Sequence, residues 1–350
     1  MPRETKPRRG MRVTVLGAGS WGTTVATIAT RRNDTTLWAR RPETATEINE
    51  QHTNSAYLAG YALPRALRST SDLEDAVSGC DVLIVGIPSQ GFREVLAEAA
   101  PYVRPWIPIV SLTKGFERDT YRRMTEVIKD VLPGHPAAAL SGPNLAKEIM
   151  QGLAAASVIA TEDPAVGSRL QEVLHRSMFR LYTNHDVIGC EVAGALKNVI
   201  AIAAGMAEGL SAGDNTRAAV ISRGLSELSR IGVAMGGEPS TFAGLAGMGD
   251  LIATCMSPLS RNRYVGEQLG KGRPLDEILA EMQMVAEGVK TAGTAVQLAA
   301  RHGVSAPICE SVHAVISGES SALETYAGLL RERPGSEDEA EQFHGPRLRA

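Results

Sequence analysis

Met11-Arg12-Val13-Thr14-Val15-Leu16-Gly17-Ala18-Gly19-Ser20-Trp21-Gly22 reads as a short strand running straight into a glycine turn, and the amphipathic run Thr23 to Thr30 follows as a helix. Each glycine has a physical task. Gly17 permits the tight turn, Gly19 lets the backbone approach a pyrophosphate, and Gly22 lets helix and strand pack closely. The first N–H groups of the helix are then free to meet phosphate oxygens. G-x-G-x-x-G alone is a weak signal. Placed directly behind a strand and ahead of a helix, it predicts a dinucleotide-binding fold.

The next strand, Thr35 to Trp38, ends in Ala39-Arg40-Arg41. In an NAD-preferring site an acid stands here, about 20 residues beyond the glycines, to bond the ribose 2′-hydroxyl. Two guanidiniums suit a 2′-phosphate instead, so NADPH is the expected cofactor, with NADH also admissible. The competing reading makes Arg40 and Arg41 solvated loop charges.

Strands and helices go on alternating. Ser71 to Gly79 predicts a helix capped by Ser71 with Glu74 three residues on. Cys80 to Pro88 is a buried strand, Gly91 to Ala100 a helix, and Ile107 to Leu112 a strand leading into Thr113-Lys114-Gly115. Ala137 to Leu140 is another strand, followed by Ser141-Gly142-Pro143-Asn144, and Ser157 to Ala160 adds an edge strand. The order predicts an α/β fold, a doubly wound parallel sheet of Rossmann type. Ligands in such sheets bind beyond the carboxyl ends of the strands, where Lys114 and Gly142 to Asn144 fall. Lys114 reads either as a ligand contact or as an ordinary surface lysine.

The whole chain sets limits on what these elements can do. At 350 residues it exceeds one ordinary hydrophobic core, so two domains are expected. It is 43% hydrophobic and 21% charged with a net charge of −3, which gives no reason to expect nucleic acid or membrane as a partner. Cys80, Cys190, Cys255 and Cys309 form no Cys-x-x-Cys pair, so no metal site is expected and the thiols should stay reduced. No signal-peptide run follows the basic residues 1–10, and no stretch is continuously lipid-like, so a cytoplasmic protein is the expectation.

After Asn184 the strand pattern fades. Val187 to Leu210, Thr216 to Met235, Glu267 to Lys271, Leu275 to Met282, Val289 to His302 and Ala306 to Ser317 read as helices or parts of helices. Domains are expected over 11–186, for the nucleotide, and 187–331, all helical, with a flexible segment over 1–10 and a disordered tail over 332–350. Gly189 to Leu210 is apolar on almost every side, yet carries Lys197 and Asn198 in its middle. A buried ammonium is costly unless paired; otherwise Lys197 snorkels to water at the helix edge. Phe242 to Leu251 is glycine-rich and carries Asp250, and Ser260-Arg261-Asn262-Arg263 puts four polar groups in a row. Both also read as turn chemistry, with Asp250 a helix cap.

These motifs, taken in order, resemble the soluble NAD(P)-dependent sn-glycerol-3-phosphate dehydrogenases from about Met11 to about Leu330. The matching segments are Gly17 to Gly22, Thr113 to Gly115, Ser141 to Pro143, Gly194 to Asn198, Asn215 to Arg217, Leu245 to Leu251 and Ser260 to Arg263. The resemblance implies reversible reduction of dihydroxyacetone phosphate to sn-glycerol 3-phosphate, supplying glycerophospholipid synthesis. It implies Lys197 as proton donor and acceptor, accompanied by Asp250. It places Lys114, Gly142, Asn144, Ser260, Arg261 and Asn262 at the substrate, with Arg261 as phosphate clamp. It places Gly17, Gly19, Ser20, Trp21, Gly22, Arg40, Arg41, Lys114, Ala146, Arg261, Val285 and Glu287 at the cofactor. From its position ahead of the Val289 helix, Met284 to Gly288 reads as a segment that closes over the cofactor. A homodimer is a further implication. Position 144, Ser or Thr in the family, is Asn here.

Two other readings compete. A two-domain dehydrogenase of the 3-hydroxyacid or 6-phosphogluconate type also sets a lysine on an all-helical domain, but without the Ser260 to Arg263 run or the Leu245 to Leu251 loop. A non-catalytic NAD(P)-sensing protein would keep Gly17 to Gly22 without needing both Lys197 and Asp250.

Overall fold

A computed structural model of the chain describes residues 10–282 and 285–329. The expected tail over 332–350 and residues 1–9 of the expected basic N-terminus lie outside them. By contacts the chain divides into two compact units, 1–195 with 237–250 and 196–236 with 251–350.

Among the described residues, the first unit holds one eight-stranded sheet. Its strands are β1 (Arg12–Leu16), β2 (Asp34–Trp38), β3 (Arg68–Thr70), β4 (Val82–Val85), β5 (Ile109–Ser111), β6 (Ala137–Ser141), β7 (Ala155–Ala160) and β8 (Phe179–Asn184), in the order 3-2-1-4-5-6-7-8. All pairs are parallel except β6 with β7. The order reverses between β1 and β4, the crevice where doubly wound folds take their ligands. Alternate residues feed two cores. Val13, Val15, Val82 and Ile84 join Val25, Ile28 and Leu170 on one face. Leu16, Leu83 and Val85 join Phe92, Leu96 and Ile128 on the other. Burial on both faces is what turns such strands into nearly continuous apolar runs.

Two expectations need correction here. Ser157 to Ala160 is not an edge strand, because β8 covers the outer side of β7. The edge is β8, where buried Phe179 and Leu181 alternate with exposed Arg180 and Tyr182. The helix expected to be capped by Ser71 is capped one residue later. Asp72 accepts from the Asp75 amide at 3.0 Å, and the helix is Leu73–Val77.

In the second half the longest helix, Val187–Gly209 (the lysine helix), is long and apolar enough to cross a membrane, but 94% of its most apolar window is buried inside the protein. Asp186 caps it by accepting from the Gly189 amide at 2.8 Å. Buried Glu191 accepts from the Thr125 amide at 2.9 Å and from the Arg123 guanidinium at 2.8 Å, which ties the helix to the start of the Met124–Val131 helix. The partial helix expected over Glu267 to Lys271 is the end of a longer one, Arg261–Gly270 (the arginine helix). Its polar first turn conceals the helical period, and Ser260 is its cap, accepting from the Arg263 amide at 3.2 Å. The glycine-rich stretch is wound too: Leu245–Gly249 is a π-helical turn running into the Asp250–Met256 helix.

Glu227 joins two helices of the second unit. From the Gly213–Ala234 helix, its buried carboxylate accepts the Ile308 and Cys309 amides at 2.7 and 3.1 Å, at the opening of the Pro307–Ser317 helix. Burial pushes its pKa up from 4.5, and the amide bonds only partly counter this. The folded state therefore holds the proton more tightly than the unfolded chain. The stability that this proton binding contributes is fully present below pH 4.5 and is lost as pH rises through the folded pKa. Glu227→Gln removes that dependence. Thermal unfolding across a pH series should show the wild type losing stability relative to the variant as pH rises above 4.5. A constant difference would contradict the assignment.

Candidate active site

In the first unit, polar groups gather at the carboxyl ends of the central strands. Gly17, at φ +108°, leaves β1 in a conformation that favours glycine, and its amide donates to Trp38 O at 3.0 Å. A Cβ on Gly22 would lie 2.0 Å from Gly17 O, so helix and turn touch backbone to backbone. A Cβ on Gly19 would meet nothing within 4 Å. Gly19 is also the N-cap of the Ser20–Thr30 helix and supplies no side-chain cap. Tight packing at Gly22, open space at Gly19 and uncapped amides make a cradle that fits a dinucleotide pyrophosphate. Asn54, which the sequence reading did not single out, braces this turn by donating to Ala18 O and Thr23 Oγ1, both at 2.9 Å.

Ser20 Oγ donates to Tyr57 O at 2.9 Å. Trp21 packs edge-on against Phe179, with ring centroids 6.1 Å apart. Arg40 and Arg41 are exposed after β2. The Arg41 guanidinium lies 5.9 Å from the Tyr57 ring centre and 4.0 Å from Glu43.

Lys114, beyond β5, donates to Gly142 O at 2.9 Å and pairs with Asp250 at 2.6 Å. Asp250 is only 2% exposed, so this ion pair is largely desolvated, and reading Asp250 as a simple helix cap misses its partner. Gly142, at φ +133°, lets the chain turn beyond β6. Asn144 accepts from the Ser157 hydroxyl, while its Nδ2 is buried with no hydrogen-bond partner among the described residues. Ala146 opens the Ala146–Met150 helix.

The second unit holds the other cluster. Lys197 is 5% exposed, so it does not snorkel, and its ammonium donates to the Thr254 hydroxyl. Asn262 Nδ2 donates to Asn198 Oδ1, and Asn262 Oδ1 accepts from the Gly288 amide, both at 2.9 Å. One side chain thus joins the lysine helix, the arginine helix and the start of the Glu287–His302 helix. Arg261 donates to Val285 O at 2.8 Å; burial pulls its pKa down and Glu287 opposes the shift. Arg263 turns elsewhere, to Glu208 and Glu267.

Sequence reasoning missed Thr254. The available signal was its spacing. It follows Asp250 by four residues, the spacing that puts two side chains on one face of a helix.

Residues 12–167 match the family NAD-dependent glycerol-3-phosphate dehydrogenase N-terminus, and residues 186–327 match its C-terminus. Glycerol-3-phosphate dehydrogenase [NAD(P)+] 2 of Sphingopyxis alaskensis is 57% identical over 93% of this chain and 98% of its own length. The Mycobacterium avium glycerol-3-phosphate dehydrogenase [NAD(P)+] is 53% identical over 94% and 97%. Among solved structures, glycerol-3-phosphate dehydrogenase from Coxiella burnetii superposes with a TM-score of 0.89 at 34% identity, covering 92% of this chain and 99% of that one.

Proposed function

The chain belongs to the NAD-dependent glycerol-3-phosphate dehydrogenases, and on that basis we propose how its residues carry out the NAD(P)-dependent interconversion of dihydroxyacetone phosphate and sn-glycerol 3-phosphate, with Lys197 moving the proton. The observation that carries the proposal is an ammonium inside an apolar helix, almost wholly out of water and oriented by Thr254. The sensor and hydroxyacid-dehydrogenase readings give way to the family.

A reduced nicotinamide cofactor, once bound, would supply hydride for C2 of the ketone. Negative charge grows on the carbonyl oxygen, and the Lys197 ammonium stabilises it and then transfers a proton to that oxygen. In the reverse direction the neutral amine takes the hydroxyl proton. Asp250 accompanies Lys197 in this chemistry, and its carboxylate also orients the Lys114 ammonium for a substrate oxygen. Gly142, Asn144, Ser260 and Asn262 complete the substrate set, with the Arg261 guanidinium on the phosphate. Binding energy from that remote phosphate holds the ketone in line for reaction. The Gly17 to Gly22 turn takes the pyrophosphate, and Ser20, Trp21, Lys114, Ala146, Arg261, Val285 and Glu287 line the rest of the cofactor's path. Loss of the reduced cofactor's absorbance on adding dihydroxyacetone phosphate tests the reaction; no loss under any pH or cofactor condition would overturn it.

Arg40 and Arg41 give the preference for NADPH through its 2′-phosphate. Replacing both with alanine should lower the NADPH-to-NADH ratio of kcat/KM by about tenfold or more, equivalent to ~1.4 kcal/mol. An unchanged ratio would return both arginines to the solvent. The proposal extends to a cytoplasmic enzyme that supplies phospholipid precursors and works as a homodimer, which sedimentation would detect.

A further inference from the structure

The lysine and arginine helices touch through their backbones. A Cβ on Gly205 would lie 2.1 Å from Arg263 O, and one on Gly209 2.2 Å from Glu267 O. From the other side, a Cβ on Gly266 would lie 2.0 Å from Ile202 O, and one on Gly270 2.5 Å from Met206 O. Ordinary C···O contacts need about 3.3 Å, so no residue larger than glycine fits without parting the helices.

The contacts also have a fixed register. Asn198 meets Asn262, Ile202 meets Gly266, and Met206 meets Gly270, each step four residues further along both helices. The two helices therefore run parallel here, locked along one ridge. The lock sets Arg261 and Asn262, at the start of one helix, beside Lys197 and Asn198 in the middle of the other. A slip by one turn would move Arg261 about 5.4 Å along the axis.

We propose that Gly205, Gly209, Gly266 and Gly270 act as a spacer that fixes the gap between Lys197 and the phosphate-binding end of the arginine helix, and so makes turnover depend on the phosphate carried beside the ketone. The proposal rests on the reading that Lys197 moves the proton and Arg261 holds the phosphate. These glycines are positioning residues and touch no substrate. Parting the helices near Gly266 moves Arg261 away from the reacting carbon, so binding energy from the phosphate stops aligning the ketone.

The test compares kcat/KM for dihydroxyacetone phosphate with that for unphosphorylated dihydroxyacetone. Gly266→Ala lies close to Arg261 and should lower the ratio by about tenfold or more. Gly270→Ala lies one turn further away and makes a milder overlap, so it should lower the ratio by roughly threefold. Gly224→Ala is the control. Its Cβ would meet the Ile200 side chain at 2.3 Å, on the lysine helix but away from the arginine helix. It should cost stability yet keep the ratio within about twofold of wild type. The proposal is overturned if the folded spacer variants keep the wild-type ratio, or if the control lowers it as much. If Gly266→Ala does not fold, Gly270→Ala alone decides. Failure of the wild type to reduce dihydroxyacetone phosphate would instead remove the underlying functional reading.

Discussion

Lys197→Ala should fold, keep its affinity for the reduced cofactor, and lose about 10³- to 10⁴-fold in kcat. The reasons are local. The ammonium is almost wholly out of water and donates to Thr254, so it is held in one place before substrate arrives. Charge developing on a ketone oxygen gains most from a donor that needs no reorganisation in a low-dielectric surrounding. The variant leaves a small cavity and returns the Thr254 hydroxyl to other partners, both modest costs beside the removal of a buried charge. Cofactor affinity is the internal control, because the pyrophosphate cradle is built from the Gly17 to Gly22 turn and helix amides, not from Lys197. Turnover should fall with KM for the cofactor unchanged, the pattern of an interaction made in the transition state. Near-normal turnover would exclude Lys197 as the proton carrier.

The cradle carries the second large effect. Gly22→Ala would place a Cβ 2.0 Å from Gly17 O, and a backbone oxygen in a tight turn cannot yield as a side chain does. The Ser20–Thr30 helix must back away from β1, at a cost of about 1–3 kcal/mol. Cofactor binding should weaken by about 100-fold or more, since the helix amides lose their aim at the phosphates. Gly19→Ala separates the two consequences. Its Cβ meets open space and its φ of −72° suits alanine, so the melting temperature should stay near wild type while cofactor affinity still falls. Thermal melts beside cofactor titrations read both variants. Equal cofactor affinity in Gly19→Ala and the wild type would show that phosphate does not approach there.

The parts of this protein that are legible in sequence are those whose physics is local. The Gly17 to Gly22 turn announces itself because strand, turn and helix are contiguous, and the strands behind it follow as apolar runs. Caps are less legible, because Ser71 and Asp72 both suit the role and one residue of offset decides between them. The arginine helix shows only its end in sequence, because its first turn is polar and periodicity follows apolar stripes. Strand β8 leaves only a weak mark in sequence, the alternation of Phe179 and Leu181 with polar neighbours over few residues. Lys197 drew notice for a charge in an apolar run, but its partner Thr254 lies 57 residues away and no local pattern joins them. The same holds for Asn198 with Asn262 and for the glycine contact between the two helices, which exist only once the chain has packed. The family resemblance supplied what local reading did not, notably the roles of Lys114, Asp250 and Arg261.

The central claim is that one buried amine carries the proton, and chemical rescue tests it most directly. Single-turnover hydride transfer from NADPH to dihydroxyacetone phosphate is followed in Lys197→Ala, with and without a small primary ammonium ion. The account predicts a very slow reaction that accelerates saturably as the ammonium fills the space left by the side chain. Hydride transfer at close to the wild-type rate with no ammonium added would contradict it.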